Sequence, residues 1–159
     1  MIEKFYTGYY NSPLGLIKVV TDEAYVLRVD FVSQKDDREE ENLLVCEAIS
    51  QLDEYFKGKR KEFDLRLFFK GTEFQKRVWE ELMKVGYGKV ISYSELAGRI
   101  GRKDATRAVA NAVGKNPIAI IVPCHRVIKA DGKLGGYSAG AHKKIWLLEH
   151  EGAKLLQKP

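Results

Sequence analysis

The sequence predicts an α/β protein of the α+β kind, with a small antiparallel sheet and one helix in its first half and a mostly helical second half. Three observations carry this prediction. Apolar and polar residues alternate over three short segments near the N-terminus, each ended by turn residues. From residue 72 onward the apolar spacing becomes helical and is punctuated by capping residues. The charge also changes sign: residues 1–70 hold 11 Lys+Arg against 14 Asp+Glu, and residues 71–159 hold 16 against 8. The boundary is therefore expected after Lys70, with domains at 1–70 and 71–159.

The first three strands are expected at Phe5 to Tyr10, Leu14 to Val20 and Tyr25 to Phe31, with Asn11-Ser12-Pro13 and Thr21-Asp22-Glu23 as turns. A polar stretch, Ser33 to Asn42, leads into a helix with Leu44, Ile49, Leu52 and Phe56 near one face, closed by Gly58. Cys46 falls in that helix and reads as a small core residue. Leu65 to Phe69 is expected as a further short strand.

In the second half, Thr72 with Gln75 forms a capping box for a helix carrying Phe74, Val78, Leu82 and Val85, ended by Gly86-Tyr87-Gly88. An extended piece, Val90 to Ser92, feeds two helices, Ser94 to Ile100 and Ala105 to Val113. Gly101 to Asp104 lies between them, with Asp104 as the expected cap of the second. This is the sequence form of a helix-turn-helix. After Asn116-Pro117, the strand-like run Ile118 to Val122 delivers the chain into Pro123-Cys124-His125-Arg126. A glycine-containing loop then precedes a last helix, Ala141 to His150.

Composition excludes several classes. Hydrophobic residues are 45% and charged residues 31%, which argues against disorder, and no apolar run approaches the length of a bilayer span. The N-terminus does not resemble a signal peptide, so a cytoplasmic protein without membrane association is expected. Neither the two cysteines nor the three histidines stand at metal-ligand spacing, so no metal and no cofactor is expected. The basic second half suggests a polyanionic partner, although charge alone is equally compatible with an ordinary solvated surface.

Cys124 is where chemistry concentrates. A free thiol is only a few per cent ionised at neutral pH, so a nucleophilic cysteine needs a neighbouring base or positive charge. His125 can supply the first and Arg126 the second. Taken alone, the tetrapeptide is equally compatible with an inert buried cysteine beside a surface His and Arg.

The wider pattern decides between these readings. Ile121-Val122-Pro123-Cys124-His125-Arg126-Val127-Ile128, Gly135-Gly136-Tyr137-Ser138-Ala139-Gly140 and Trp146-Leu147-Leu148-Glu149-His150-Glu151-Gly152 closely resemble the active-site blocks of the O6-alkylguanine-DNA alkyltransferases. Ile91-Ser92-Tyr93, Ala105-Thr106-Arg107-Ala108-Val109 and Asn116-Pro117 extend the likeness over residues 72–152. The resemblance implies a ribonuclease H-like N-terminal domain with a structural role, and a winged-helix-like C-terminal domain that binds DNA and transfers the alkyl group.

It also implies roles. Cys124 is the alkyl acceptor, His125 the base that reaches it through a water, and Glu151 the carboxylate that orients the imidazole. Tyr93 donates to guanine N3, and Asn116 braces the active-site turn. Tyr137 and Ser138 cover the flipped base, main-chain groups near Cys124 and Val127 read its edge, and Lys144 supports the loop and proton relay. Arg107 is the finger that fills the gap in the base stack. Around it Ala105, Thr106, Ala108 and Ala110 are small enough for close approach, and Arg126 adds positive charge. The partner implied is double-stranded DNA carrying O6-alkylguanine, met in the minor groove by a monomer, and the transfer is irreversible and stoichiometric. Two other classes compete: a non-catalytic lesion-binding or regulatory helix-turn-helix protein, and a cysteine hydrolase. The chain departs from many relatives at Ala139 and Gly136, and it lacks the N-terminal zinc ligands or disulfide of some members.

Overall fold

A computed structural model describes residues 3–154, and these form two compact units, one of residues 3–70 with 117–121 and the other of residues 71–116 with 122–154. The first unit is a sheet covered by a helix. Strands β1 (Tyr6–Ser12), β2 (Gly15–Thr21) and β3 (Val26–Phe31) pair antiparallel in the order β1-β2-β3, with Tyr10 opposite Ile17 and Val19 opposite Val29. The β1–β2 hairpin closes because the Ser12 hydroxyl accepts from the Leu14 N–H at 3.0 Å and donates to the Gly15 carbonyl at 2.7 Å. Gly15 there holds a φ of 113°, which a side chain would oppose. Helix α1 (Leu43–Phe56) starts on Asn42, whose side chain accepts from the Val45 N–H at 2.8 Å. Its buried Val45, Ala48, Leu52 and Tyr55 share the core with Ile17, Val19, Val26 and Val29. Each of the valine, leucine and isoleucine side chains among these contributes about 1.5–3 kcal/mol on leaving water.

Two expected strands are absent, and one edge explains both. The segment 65–69 makes an isolated bridge to the sheet, Leu67 opposite Val26, in which Val26 donates to the Arg66 carbonyl and accepts from the Phe68 N–H. Three residues further along β3, Val29 donates to the Pro117 carbonyl at 3.0 Å and accepts from the Ala119 N–H at 2.9 Å. The same edge is thus divided between two segments, so neither forms a ladder. Past Ile118 the second segment turns sharply, with Ile120 at a φ of 71°. These bonds also return residues 117–121 to the first unit, where a single division after Lys70 would have left them with the second. Cys46, expected inside, is exposed on α1.

The second unit is mostly helical. Helix α2 (Glu73–Leu82) begins with the expected capping box, Thr72 N–H to Gln75 Oε1 at 3.0 Å and Gln75 N–H to Thr72 Oγ1 at 3.1 Å. It ends at Leu82, and Val85 lies in the turn beyond it. Strand β4 (Ile91–Ser92) pairs parallel with β5 (Val127–Ile128), so the chain around Tyr93 and the chain after Cys124 are neighbours. Helix α3 (Tyr93–Arg99) carries a second capping box, Ser92 with Glu95. A 3-10 turn (Lys103–Ala105) then leads into α4 (Thr106–Gly114). Asp104 does not cap α4: it sits within the 3-10 turn, 3.6 Å from Arg102 Nε, and α4 starts without a side-chain cap. The indole N–H of buried Trp79 donates to the Ala112 carbonyl at 2.9 Å and fastens α4 to α2. Helix α5 (Ala141–His150) turns Lys144, Leu147 and Leu148 inward. No described helix is long and apolar enough to cross a membrane, and among the described residues no three His, Cys, Asp or Glu side chains are grouped to hold a metal ion.

Candidate active site

Residues 124–126 form one turn of 3-10 helix between Pro123 and β5. Cys124 Sγ belongs to a buried residue, 6% exposed, at the wall of an open cavity of about 1110 Å³. That is room for a base-sized ligand and more. Tyr93, Thr106, Arg107, Tyr137 and Ser138 line the same cavity, which brings these sequence-predicted residues together around one thiol. Arg107 and Ser138 are exposed, whereas the Tyr137 hydroxyl is buried and among the described residues has no partner in hydrogen-bond geometry, though it is close enough to Cys124 for each to feel the other's charge.

The remaining predicted residues stand behind the wall. Asn116 Nδ2 donates to the Val122 carbonyl at 2.8 Å, holding the turn that presents Cys124. His125 is wholly buried, and its Nε2 lies 2.7 Å from Glu151 Oε2. Arg126 Nε meets Glu151 Oε1 at 2.8 Å and Arg126 Nη2 meets Oε2 at 3.0 Å. Lys144 is also wholly buried, with Nζ donating to the Val127 carbonyl at 2.6 Å and the Gly136 carbonyl at 3.0 Å. It therefore ties β5 to the loop that carries Tyr137.

Two expectations change. Arg126 is not on a DNA-facing surface and supplies no charge to the cavity, because its guanidinium is buried on Glu151 and on the Val85 carbonyl, 2.6 Å from Nη1. The cation that does act on Cys124 is Lys144. Ala105 is buried, 8% exposed, so the small face of α4 that remains open is formed by Ala108 and Ala110. The Val127 N–H is bonded to the Cys124 carbonyl, and its own carbonyl accepts from Lys144 and keeps a second lone pair.

The protonation states follow from burial and neighbours. Burial pushes the Cys124 thiol up, opposed by the Asn116 hydrogen bond, the Lys144 charge and the Tyr137 hydroxyl. The resting sulfur is thus a thiol held among groups that favour its thiolate, rather than a standing thiolate. Burial lowers His125 more than Glu151 raises it, so the imidazole is neutral at pH 7. Burial also opposes ionisation of Glu151, but the bonds from His125 and Arg126 prevail and hold its carboxyl well below the usual range. An ionised carboxylate only accepts, which assigns the proton to His125 Nε2 and leaves the lone pair on Nδ1. Among the described residues Nδ1 has no hydrogen-bond partner. Burial draws the Lys144 ammonium down to about 8, with Cys124 acting in the opposite sense. Burial likewise raises Tyr93, so its hydroxyl stays a neutral donor.

The cavity also has lining residues that the sequence reading did not single out for the site, among them Lys129 and Asn111. Asn111 follows Arg107 by one helical turn, and that spacing was the available signal. Gly135 holds a φ of 75°, and a Cβ there would stand 3.1 Å from Tyr93 Cε2 and 3.2 Å from its hydroxyl. Only glycine lets the loop pass so close to the tyrosine.

Comparison with known proteins gives this arrangement its kin. Residues 73–153 match the family profile described as 6-O-methylguanine DNA methyltransferase, DNA binding domain, and residues 5–69 match the ribonuclease-like domain of the same family. The chain is 45% identical to the methylated-DNA--protein-cysteine methyltransferase of Methanosarcina acetivorans, over 93% of this chain and 99% of the relative. It is 43% identical to that of Mycobacterium leprae, over 92% of each. Among solved structures, Mycobacterium tuberculosis OGT in complex with DNA is similar with a TM-score of 0.84 at 41% identity, covering 93% of this chain and 92% of that one. Relatives of this kind favour a transferase over a binding module or a hydrolase. The chain belongs to the 6-O-methylguanine DNA methyltransferase family.

Proposed function

We propose that this protein repairs DNA by moving the alkyl group of an O6-alkylguanine, chiefly methyl, onto Cys124, once per molecule and without a cofactor. One observation carries the reading: the thiol at the cavity wall belongs to the same short turn as a buried neutral imidazole that donates to an ionised carboxylate. In the step proposed, the sulfur attacks the saturated carbon as the bond to O6 breaks. The thiol proton passes through a water to His125 Nδ1, and the electron pair of the broken bond goes to the guanine. Tyr93 donates to N3 of the leaving base, and Asn116 holds the turn in place. Tyr137 and Ser138 cover the base, with Lys144 fixing their loop.

For a base to enter the cavity it must leave the helix. Arg107, exposed on α4 at the cavity rim, is the residue we assign to the gap it leaves, with Thr106, Ala108 and Ala110 close to the minor groove. Lys103, Lys115 and Lys129 supply phosphate attraction that weakens with salt. We read the working form as a cytoplasmic monomer.

Mass spectrometry of the intact protein after incubation with excess O6-methylguanine duplex tests this directly. One added methyl group on Cys124, absent in Cys124→Ala, is the expected result. A bare sulfur beside bound DNA overturns it.

A further inference from the structure

Among the described residues, the His125 and Arg126 side chains meet on Glu151, and of the two Arg126 brings a permanent charge. Arg126 forks onto both carboxylate oxygens at 2.8 and 3.0 Å, while the Gly88 N–H makes a longer contact to Oε1 at 3.3 Å. Oε2 is shared between Arg126 Nη2 and His125 Nε2, the latter at 2.7 Å. Arg126 and Glu151 are each only 6% exposed and His125 is fully covered. Arginine is seldom buried, and here no part of its guanidinium faces the cavity.

A reason emerges from what the His–Glu pair would do alone. A buried carboxylate with no other counter-charge favours the imidazolium form of its neighbour. An imidazolium has no lone pair and cannot take a proton from a thiol. A guanidinium on the same carboxylate cancels much of that field and fixes the oxygen that orients the ring. Lys144 on α5 acts in the same sense as Arg126, and Glu151 acts against both. Tyr87, from the turn after α2, lies with its ring 5.9 Å from the Arg126 guanidinium and senses Glu151, as does Tyr137 from the loop.

We propose that Arg126 is a positioning residue for alkyl transfer: by forking onto Glu151 it holds the carboxylate at His125 Nε2 and offsets the carboxylate's field, so that burial leaves the imidazole neutral with Nδ1 open to accept. The statement about rate rests on the proposed function, whereas the statement about the imidazole does not.

The test uses the full chain, with Arg126→Met and Arg126→Lys, each checked for folding by thermal melting. Imidazole nitrogen NMR across the range around neutral pH reads the protonation of His125, and quenched single-turnover transfer reads the rate per folded molecule. In Arg126→Met the imidazolium is expected to appear about one pH unit higher, with the acid limb of the transfer rate moving by the same amount. In Arg126→Lys the ring stays neutral because charge is kept, but the lost fork lowers the rate roughly 3- to 10-fold. A folded Arg126→Met whose His125 titrates as in the parent overturns the proposal. Should that variant not fold, Arg126→Lys decides, and an unchanged rate per folded molecule overturns it. If the parent transfers no alkyl group, the functional reading falls while the imidazole titration still judges Arg126.

Discussion

The cores of the two units are built on different principles. In the first, the buried side chains are almost all apolar, and its buried amide, Gln51, is satisfied by the backbone of Asp64 through bonds of 2.8 and 3.0 Å. In the second, apolar packing around Trp79, Leu96 and Leu147 surrounds a buried polar cluster that includes His125, Arg126, Lys144 and Glu151. Removing any one of them strands a partner in a medium that solvates charge poorly. The contrast teaches where sensitivity lies: the first core tolerates change in proportion to volume lost, the second according to which pairing is broken.

Glu151→Gln attacks the second core at its centre and should have the largest effect. It is expected to slow alkyl transfer by roughly 100-fold or more, the usual range for lost acid–base support. It should also destabilise the protein by about 3–5 kcal/mol, because Arg126 loses its counter-charge. Single-turnover kinetics and urea melts measure the two separately. Leu52→Ala probes the first core, with an expected loss of about 2–5 kcal/mol and an unchanged transfer rate per folded molecule. A slowed rate there would break the proposed division of labour.

Acid should separate the units in the same way. The Glu151 carboxyl is held below its ordinary value in the fold, so its stabilisation is complete above the usual carboxylate range near 4.3 and is lost as pH falls below it. Both tryptophans, Trp79 and Trp146, lie in the second unit. Their emission is expected to shift at a higher pH than that at which amide protection in β2 is lost. Arg107→Ala, outside either core, should slow repair of duplex DNA by about 10-fold, or about 1.4 kcal/mol, with little effect on a free benzylated guanine. Equal losses on both substrates would remove the finger assignment. Smallest is Thr72→Ala, which removes the cap of α2 and should cost about 1 kcal/mol in the same melts.

Much of this was legible from local chemistry. The strands, the capping box at Thr72 and the clustering of Tyr93, Arg107, Cys124 and Tyr137 follow from alternation, cap residues and ordered family blocks. What failed depended on direction or on partners distant in sequence. In a 3-10 turn successive side chains point about a third of a circle apart, so adjacency of Cys124, His125 and Arg126 says nothing about a shared face. Arg126 accordingly turns to a carboxylate 25 residues away. The run Ile118 to Val122 has the composition of a strand, but β3 offers it a single residue, Val29. Asp104 has the chemistry of a cap, yet the 3-10 turn intervenes before α4 begins.

Residues 117–121 deserve a practical conclusion. They are stitched to Val29 by two backbone hydrogen bonds, only a few positions upstream of Cys124, while the chain on both sides of them belongs to the other unit. A protein laid out this way cannot be halved by one cut. A fragment starting at Gly71 would carry an apolar ribbon with its tether missing, so expression boundaries and insertion points should respect the fold rather than the point where charge changes sign.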